Sequence, residues 1–412
     1  MTMTMAAAHA VNRKLVDPIF EANAACKEAI KEFGAEKVTN ATIGTVLDDA
    51  GNLLVLPTVE KVFREMQMTD FTSYAPISGR ADYLDYVYRQ IFGGTFFEGY
   101  FSAVATSGGT GAIHHAVANY AERGDKVLTS DWFWGTYNII CNETGKNLVT
   151  FPLFDAGYKN FNISAFSDRV EEILEMQNSL LIILNTPAHN PTGYALSDDE
   201  WEKVLNVIRI NAAKGNKITL LVDVAYIDFA GDSETVWSFI PKFADMPENV
   251  LILVAYSMSK SYTFYGQRCG ALAAFSTNED VIAEFEATNK YTSRATWSNI
   301  NHGAQVLFTK INSSKALRAE LAADQKNLRE LVNRRAEIFV TESAKCGLKI
   351  VPYKGGFFIA VPAKDPAAVC QKLRDDLIFA VPLKLGIRVA ACSTPTTKIA
   401  GIAEKIKAAL EK

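Results

Sequence analysis

No C-x-x-C pair and no Cys/His spacing suited to zinc occurs in the 412 residues; the 6 cysteines (Cys26, Cys141, Cys269, Cys346, Cys370, Cys392) stand singly. This excludes a disulfide scaffold and a zinc module, and the thiols read as small buried apolar groups in a reducing compartment. Charge of one sign is also scarce. Lys+Arg number 42 against 46 Asp+Glu, a net charge of −4, and no basic block stands out. That argues against nucleic acid or an anionic membrane as partner. No apolar run approaches the ~20 residues that cross a bilayer. Residues 1–11 are small and polar without a basic start, unlike a secretory leader. These absences lead to the expectation of a soluble, cytoplasmic protein. Internal repeats and low-complexity linkers are lacking too.

What is present is an ordinary globular composition, 49% apolar and 21% charged. The length favours two or three domains. Phe101–Thr106, Lys126–Thr129, Leu180–Leu184, Ile218–Val224, Val250–Ala255 and Ala271–Phe275 read as short, continuously apolar strands. Helical patterns lie between or beside them, among them Ala81–Phe92, Ala112–Ala121 and Asp198 to about Ala213. Such alternation predicts an α/β unit with a mostly parallel sheet covered on both faces, over residues 56–315. A long helix from Ser314 to Ala344 follows. Strands Leu348–Pro352, Phe357–Val361 and Ile387–Ala391, with helices Ala367–Leu373 and Thr396–Leu410, then predict a smaller α+β domain. Residues 316–412 are expected to form it together with 1–55, whose helix Pro18–Phe33 stops at Gly34 and whose extended piece near Thr39 has no neighbour of its own. Thr58 is placed to cap a helix from Val59 to Met68.

The chemistry gathers at strand ends. Tyr256-Ser257-Met258-Ser259-Lys260 leaves an apolar strand, with Arg268 eight positions on. A lysine there is costly to bury unless it reacts or finds a partner. A Schiff base with the aldehyde of pyridoxal phosphate suits it, and Ser257 and Arg268 can hold the phosphate. An ordinary surface lysine fits the same stretch. Ser107-Gly108-Gly109-Thr110-Gly111 joins a strand to a helix and exposes backbone N–H groups to an anion. Its spacing is neither G-x-G-x-x-G nor G-x-x-x-x-G-K, so neither a dinucleotide fold nor a P-loop is indicated. A tight turn is the plain alternative. Ala188-His189-Asn190-Pro191-Thr192-Gly193 puts an amide at the edge of the sheet, or is simply a turn. Asp223, in Asp223-Val224-Ala225-Tyr226, ends so apolar a strand that it needs a partner or caps the next helix. A protonated pyridine nitrogen would be such a partner.

In this order the motifs resemble a fold-type I pyridoxal-phosphate enzyme of the class I aminotransferases, nearest the aspartate/aromatic branch. The resemblance runs from about Asn40 to Ala391. It implies that Lys260 is the Schiff-base lysine, that Asp223 pairs with the pyridine nitrogen, and that Tyr226 and Asn190 bond the ring's phenolic oxygen. It gives Gly109, Thr110, Ser257 and Arg268 to the phosphate, and Trp134, rather than Trp132, to the ring face. Tyr74 would reach the phosphate of a neighbouring subunit, which implies a homodimer with shared sites. Gly44 and Arg388 would receive the substrate α-carboxylate. Arg294 resembles the arginine that takes a side-chain carboxylate across the dimer. Two positions depart from the family pattern: Ile300 where Pro often follows Ser-Asn, and Tyr137 where His often stands. Both are expected to bear on substrate choice more than on the basic chemistry.

The implied activity is two-stage transfer of an amino group, with an aromatic or dicarboxylic L-amino acid as donor and a 2-oxo acid such as 2-oxoglutarate as acceptor. Lys260 acts as base and then acid. Lys260 and Asp223 would equally serve a carbon–sulfur β-lyase or a decarboxylase. A pyridoxal-phosphate-binding regulator of DNA would need a DNA-binding arm, and no room is expected for one before Asn40. No metal is expected.

Overall fold

In the computed structural model, residues 3–11, 13–93, 98–232 and 235–411 are described; positions 1, 2, 12 and 412 of the expected smaller domain, 1–55 with 316–412, lie outside them. The strands in chain order are β1 (Thr39–Asn40), β2 (Tyr100–Thr106), β3 (Lys126–Ser130), β4 (Asn147–Phe151), β5 (Ser179–Asn185) and β6 (Lys217–Asp223). They continue with β7 (Val250–Ser257), β8 (Gly270–Ser276), β9 (Phe358–Pro362), β10 (Ile378–Phe379), β11 (Val381–Pro382) and β12 (Gly386–Ala390). Seven of them form one sheet in the order β2-β8-β7-β6-β5-β3-β4. Only β8 runs against its neighbours; every other pairing in that sheet is parallel.

The sheet is apolar on both faces because its strands are. Leu180, Ile182 and Leu184 of β5 join one core with Val250, Ile252 and Val254 of β7. Leu181 and Ile183, pointing the other way, join Leu251, Leu253 and Ala255 in a second core. This period of two explains why the sequence shows unbroken apolar runs. Residues at the C-terminal ends then share an edge. Asn185 pairs with Asp223, and Asp223 with Ala255, two positions before Ser257. The fold therefore puts three polar side chains where ligands of parallel sheets bind.

A second, antiparallel sheet has the order β11-β12-β9, and β1 pairs with β10 in parallel. A separate core here combines Ala41, Phe339, Val361, Ile387 and Ile406. The 32-residue helix Lys315–Cys346 runs from the large core, through Leu321 and Leu328, to this one, through Ala336 and Phe339.

Four details differ from the sequence reading. Leu348–Pro352 forms no strand: Leu348 N–H instead donates to Ser343 O at 2.8 Å and closes the long helix behind Gly347, whose φ is +72°. The last helix is broken at Gly401 (φ +82°) into Thr396–Ile399 and Ile402–Glu411. Thr58 does not cap a helix to Met68. The helix is Pro57–Arg64, and Thr58 N–H and hydroxyl both donate to Asp324 of the long helix, at 2.9 and 2.7 Å. Finally, the glycine-rich turn is itself helical, since the helix is Gly108–Asn119 and not Ala112–Ala121. Strand β4 and the helices Glu279–Thr296 and His302–Ser313 had no counterpart in that reading.

Candidate active site

A cavity opens at the C-terminal edge of β5, β6 and β7, and two groups of side chains line it. Gly109, Thr110, Ser257, Ser259 and Arg268 form the first; Asn185, Asn190, Asp223 and Tyr226 the second; Lys260 and Trp134 face both. The lysine is half-buried.

The first group is built for an anion. Gly109 and Thr110 lie in the opening turn of Gly108–Asn119, where backbone N–H groups have no helical partner. Gly108 has φ +63°, and a Cβ on it would sit 2.7 Å from Nη2 of Arg268. Gly270 allows a close crossing: a Cβ there would lie 2.4 Å from Tyr256 O and 2.9 Å from the carbonyl carbon of Gly108. Arg268 itself takes a left-handed φ of +49°. Its Nη1 donates to Ser259 Oγ at 2.9 Å and to Tyr265 O at 3.0 Å, which fixes the guanidinium against that strain.

The second group centres on Asp223, which is 4% exposed. Burial raises its pKa; hydrogen bonds from Tyr137 and from Ala225 N–H oppose this, as does the Lys260 charge. Tyr137 O–H donates to Oδ2 at 2.5 Å and Ala225 N–H to Oδ1 at 3.1 Å. Asn185 donates from Nδ2 to Asp223 O at 2.8 Å and accepts Asn190 N–H at 2.6 Å, so it locks the strand end to the Asn190 loop. Asn190 Nδ2 lies 3.5 Å from Tyr226 Oη. Arg388 on β12, 2% exposed, donates to Asn190 Oδ1 at 3.3 Å and to Thr42 O at 2.6 Å, with its guanidinium 4.1 Å above the Phe358 ring. Its Nε is buried without a partner among the described residues. Burial pulls the Arg388 pKa to about 10, partly offset by Tyr226, so it is cationic at neutral pH.

Lys260 Nζ sits 5.4 Å from the centre of the Tyr226 ring. Burial first, then the nearby Arg268 charge, lowers its pKa to about 8, with Asp223 pulling the other way. Such an amine is poised to react as a free base near neutral pH.

Of the residues singled out in the sequence, Gly109, Thr110, Trp134, Asn190, Asp223, Tyr226, Ser257, Lys260 and Arg268 line this one cavity. Trp132 does not; it is 3% exposed and packs in the large core. Arg388 reaches the cavity through Asn190. Gly44 stands apart, against Phe358. Tyr74, 90% exposed, is not brought to this cavity within the chain, nor is Arg294, whose Nη1 donates to Ser298 Oγ at 2.5 Å on the surface. Ile300 is buried and its carbonyl accepts Gln305 Nε2 at 3.2 Å. Tyr137 corrects the sequence reading: it touches Asp223 and so bears on the core of the site. Ser259 and Asn185 were missed. Ser259 lay within the Ser-x-Ser-Lys motif, and Asn185 is a polar end to an apolar strand, the same signal that marked Asp223.

The donor set fits pyridoxal phosphate. An anion cradle, a buried carboxylate for a ring nitrogen and an amine of depressed basicity share one cavity. Comparison with known proteins agrees. Residues 36–406 match the family described as aminotransferase class I and II. The crystal structure of an aminotransferase from Anaerococcus prevotii is 37% identical, covers 100% of both chains and superposes with a TM-score of 0.96. The aspartate aminotransferase of Pseudomonas aeruginosa is 27% identical over 354 residues, 83% of this chain and 85% of that one. An aromatic-amino-acid aminotransferase from Burkholderia pseudomallei, its structure described as covalently bound to pyridoxal phosphate, is 23% identical with a TM-score of 0.79 over 97% of this chain and 98% of its own. With the family match spanning residues 36–406, the chain belongs to the class I and II aminotransferases, enzymes that work with pyridoxal phosphate.

Proposed function

We propose that the chain moves an amino group from an aromatic or dicarboxylic L-amino acid to a 2-oxo acid, 2-oxoglutarate in the first instance. The observation that carries this is the Lys260 amine, held near pKa 8 in one cavity with the buried Asp223. When bound, pyridoxal phosphate supplies an aldehyde for that amine and an electron sink for the substrate's α-carbon. Gly109, Thr110, Ser257 and Arg268 hold its phosphate, Asp223 its ring nitrogen, Tyr226 and Asn190 its phenolic oxygen, and Trp134 its face. Lys260, once displaced by substrate, takes the α-proton and gives it back, as base and then acid. Gly44 and Arg388 receive the α-carboxylate: Arg388 is cationic, and its Nε lacks a partner among the described residues.

Residues 56–315 serve as the cofactor-binding unit and 1–55 with 316–412 as the smaller unit, which supplies Arg388. The protein works as a homodimer, with Tyr74 and Arg294 reaching the neighbour's site. Among the described residues no helix is long and apolar enough to cross a membrane.

The test is a donor panel of aspartate, phenylalanine, tyrosine, tryptophan and alanine with 2-oxoglutarate, on wild type and Lys260→Ala. Wild type is expected to form glutamate from at least one aromatic or dicarboxylic donor, and the variant to lose at least ~10³-fold, as for loss of a covalent and acid–base group. A wild-type rate in Lys260→Ala overturns the assignment. Release of pyruvate and ammonia from cysteine-type substrates, without need of an oxo acid, would make the protein a β-lyase.

A further inference from the structure

We infer that Tyr137 is a positioning residue that keeps Asp223 ionised and aimed for a cationic ring nitrogen, an inference that rests on the pyridoxal-phosphate reading above. Tyr137 stands in the first turn of the helix Thr136–Glu143 and is 1% exposed. Its hydroxyl donates to Asp223 Oδ2 at 2.5 Å across 86 positions of sequence, and Trp134 packs edge-on against its ring at 5.7 Å. One side chain thus braces both the carboxylate and a wall of the cavity.

A fully buried carboxyl favours its neutral form. That form would present a proton to the ring nitrogen where an anion is needed. A short hydrogen bond from a hydroxyl stabilises the anion, and the second oxygen has the Ala225 N–H. Each oxygen so keeps acceptor capacity for a group entering the cavity. The phenol itself resists ionising: burial, then the adjacent carboxylate, raises its pKa far above the usual range. Tyr137 is therefore a donor that brings no charge of its own.

The test uses holoenzyme made with pyridoxal phosphate carrying nitrogen-15 in the ring. The readouts are the chemical shift of that nitrogen and the dissociation constant of the cofactor. Wild type is expected to show a protonated nitrogen. In Tyr137→Phe, which removes a single oxygen, Asp223 gains proton affinity and takes the proton. The shift then moves toward the unprotonated form and cofactor affinity falls roughly tenfold, the size of one hydrogen bond to a charged group. Tyr137→His restores a donor and is expected to return the shift toward wild type. A purely space-filling Tyr137 would leave the nitrogen shift unmoved in the Phe variant, and that result overturns the inference while leaving the proposed reaction standing. Should the Phe variant not fold, Tyr137→His decides alone, an unprotonated ring counting against the inference. A wild-type chain that takes up no cofactor overturns both.

Discussion

At the scale of the residue, the chain spends its stability on one amine. Lys260 is half-buried and its pKa is lowered to about 8, by desolvation and then by Arg268. The sign is clear: a lysine of lowered pKa is unprotonated above that pH, and roughly one in ten molecules carries the free base at pH 7. The rate at which apoenzyme combines with pyridoxal, which has no phosphate for Arg268 to bind, should therefore rise with pH to a plateau, with its midpoint near 8. Arg268→Gln removes the neighbouring cation and should move that midpoint to higher pH. An unmoved midpoint, followed by absorbance, would mean that solvent screens the two groups. Much of this site could be read from sequence, for a physical reason. Asp223 ends, and Lys260 closely follows, a strand that is largely apolar, and ionisable groups so placed are rarely without a role. Tyr137 gave no such signal from its neighbours; the family pattern marked it only as a departure bearing on substrate choice. A tyrosine among Thr136, Asn138 and Ile139 is ordinary, and only the fold brings it to Asp223.

Elements show the same division. Strands β5, β6 and β7 were legible because burial on both faces demands unbroken apolar runs. Leu348–Pro352 misled for the same reason: it is apolar because it covers a core, yet it closes a helix and touches β9 through Val351 N–H, which donates to Ala360 O at 3.1 Å, without itself forming a strand. Capping from a distance is invisible to a local rule. The helix Pro57–Arg64 begins at a proline after Leu56, which has no side chain to cap it, and the acceptor is Asp324, 266 positions on. This contact ties the start of that helix to the long helix. Asp324→Ala should lower unfolding stability by about 1–2 kcal/mol, as for loss of a charged N-terminal cap. Asp324→Asn, which keeps an acceptor, should cost less. Urea midpoints at one fixed protein concentration measure both, since association also shifts them. Equal midpoints for Asp324→Ala and wild type would show that water replaces the carboxylate.

For the whole molecule, the long helix and Arg335 join the parts that carry the site. Arg335, 0% exposed, donates to Leu47 O and Cys392 O at 2.9 Å and to Asp49 at 2.7 Å, so the segment bearing Thr42 and Gly44 is fixed to the strand-end region after Arg388. What the chain leaves outside its own site is as informative. Tyr74 is 90% exposed, and Val55, Met68 and Phe71 are exposed at 44%, 72% and 39% around a groove shared with Phe264. Apolar surface of that kind is the ordinary face of an assembly. If Tyr74 serves the neighbouring subunit, two defective chains should repair one another. Lys260→Ala spoils its own site, and Tyr74→Ala spoils its partner's. In a mixed dimer the site that keeps Lys260 also receives an intact Tyr74 from the other chain, while the second site carries both lesions. Random exchange makes half the dimers mixed, so about a quarter of wild-type activity should return on mixing the two inactive proteins. A Tyr74 that acted within its own chain would give no intact site in any dimer, and mixing would recover nothing. Measuring transamination before and after co-refolding of the pair separates the two arrangements, and native mass before assay establishes that dimers are what is being mixed.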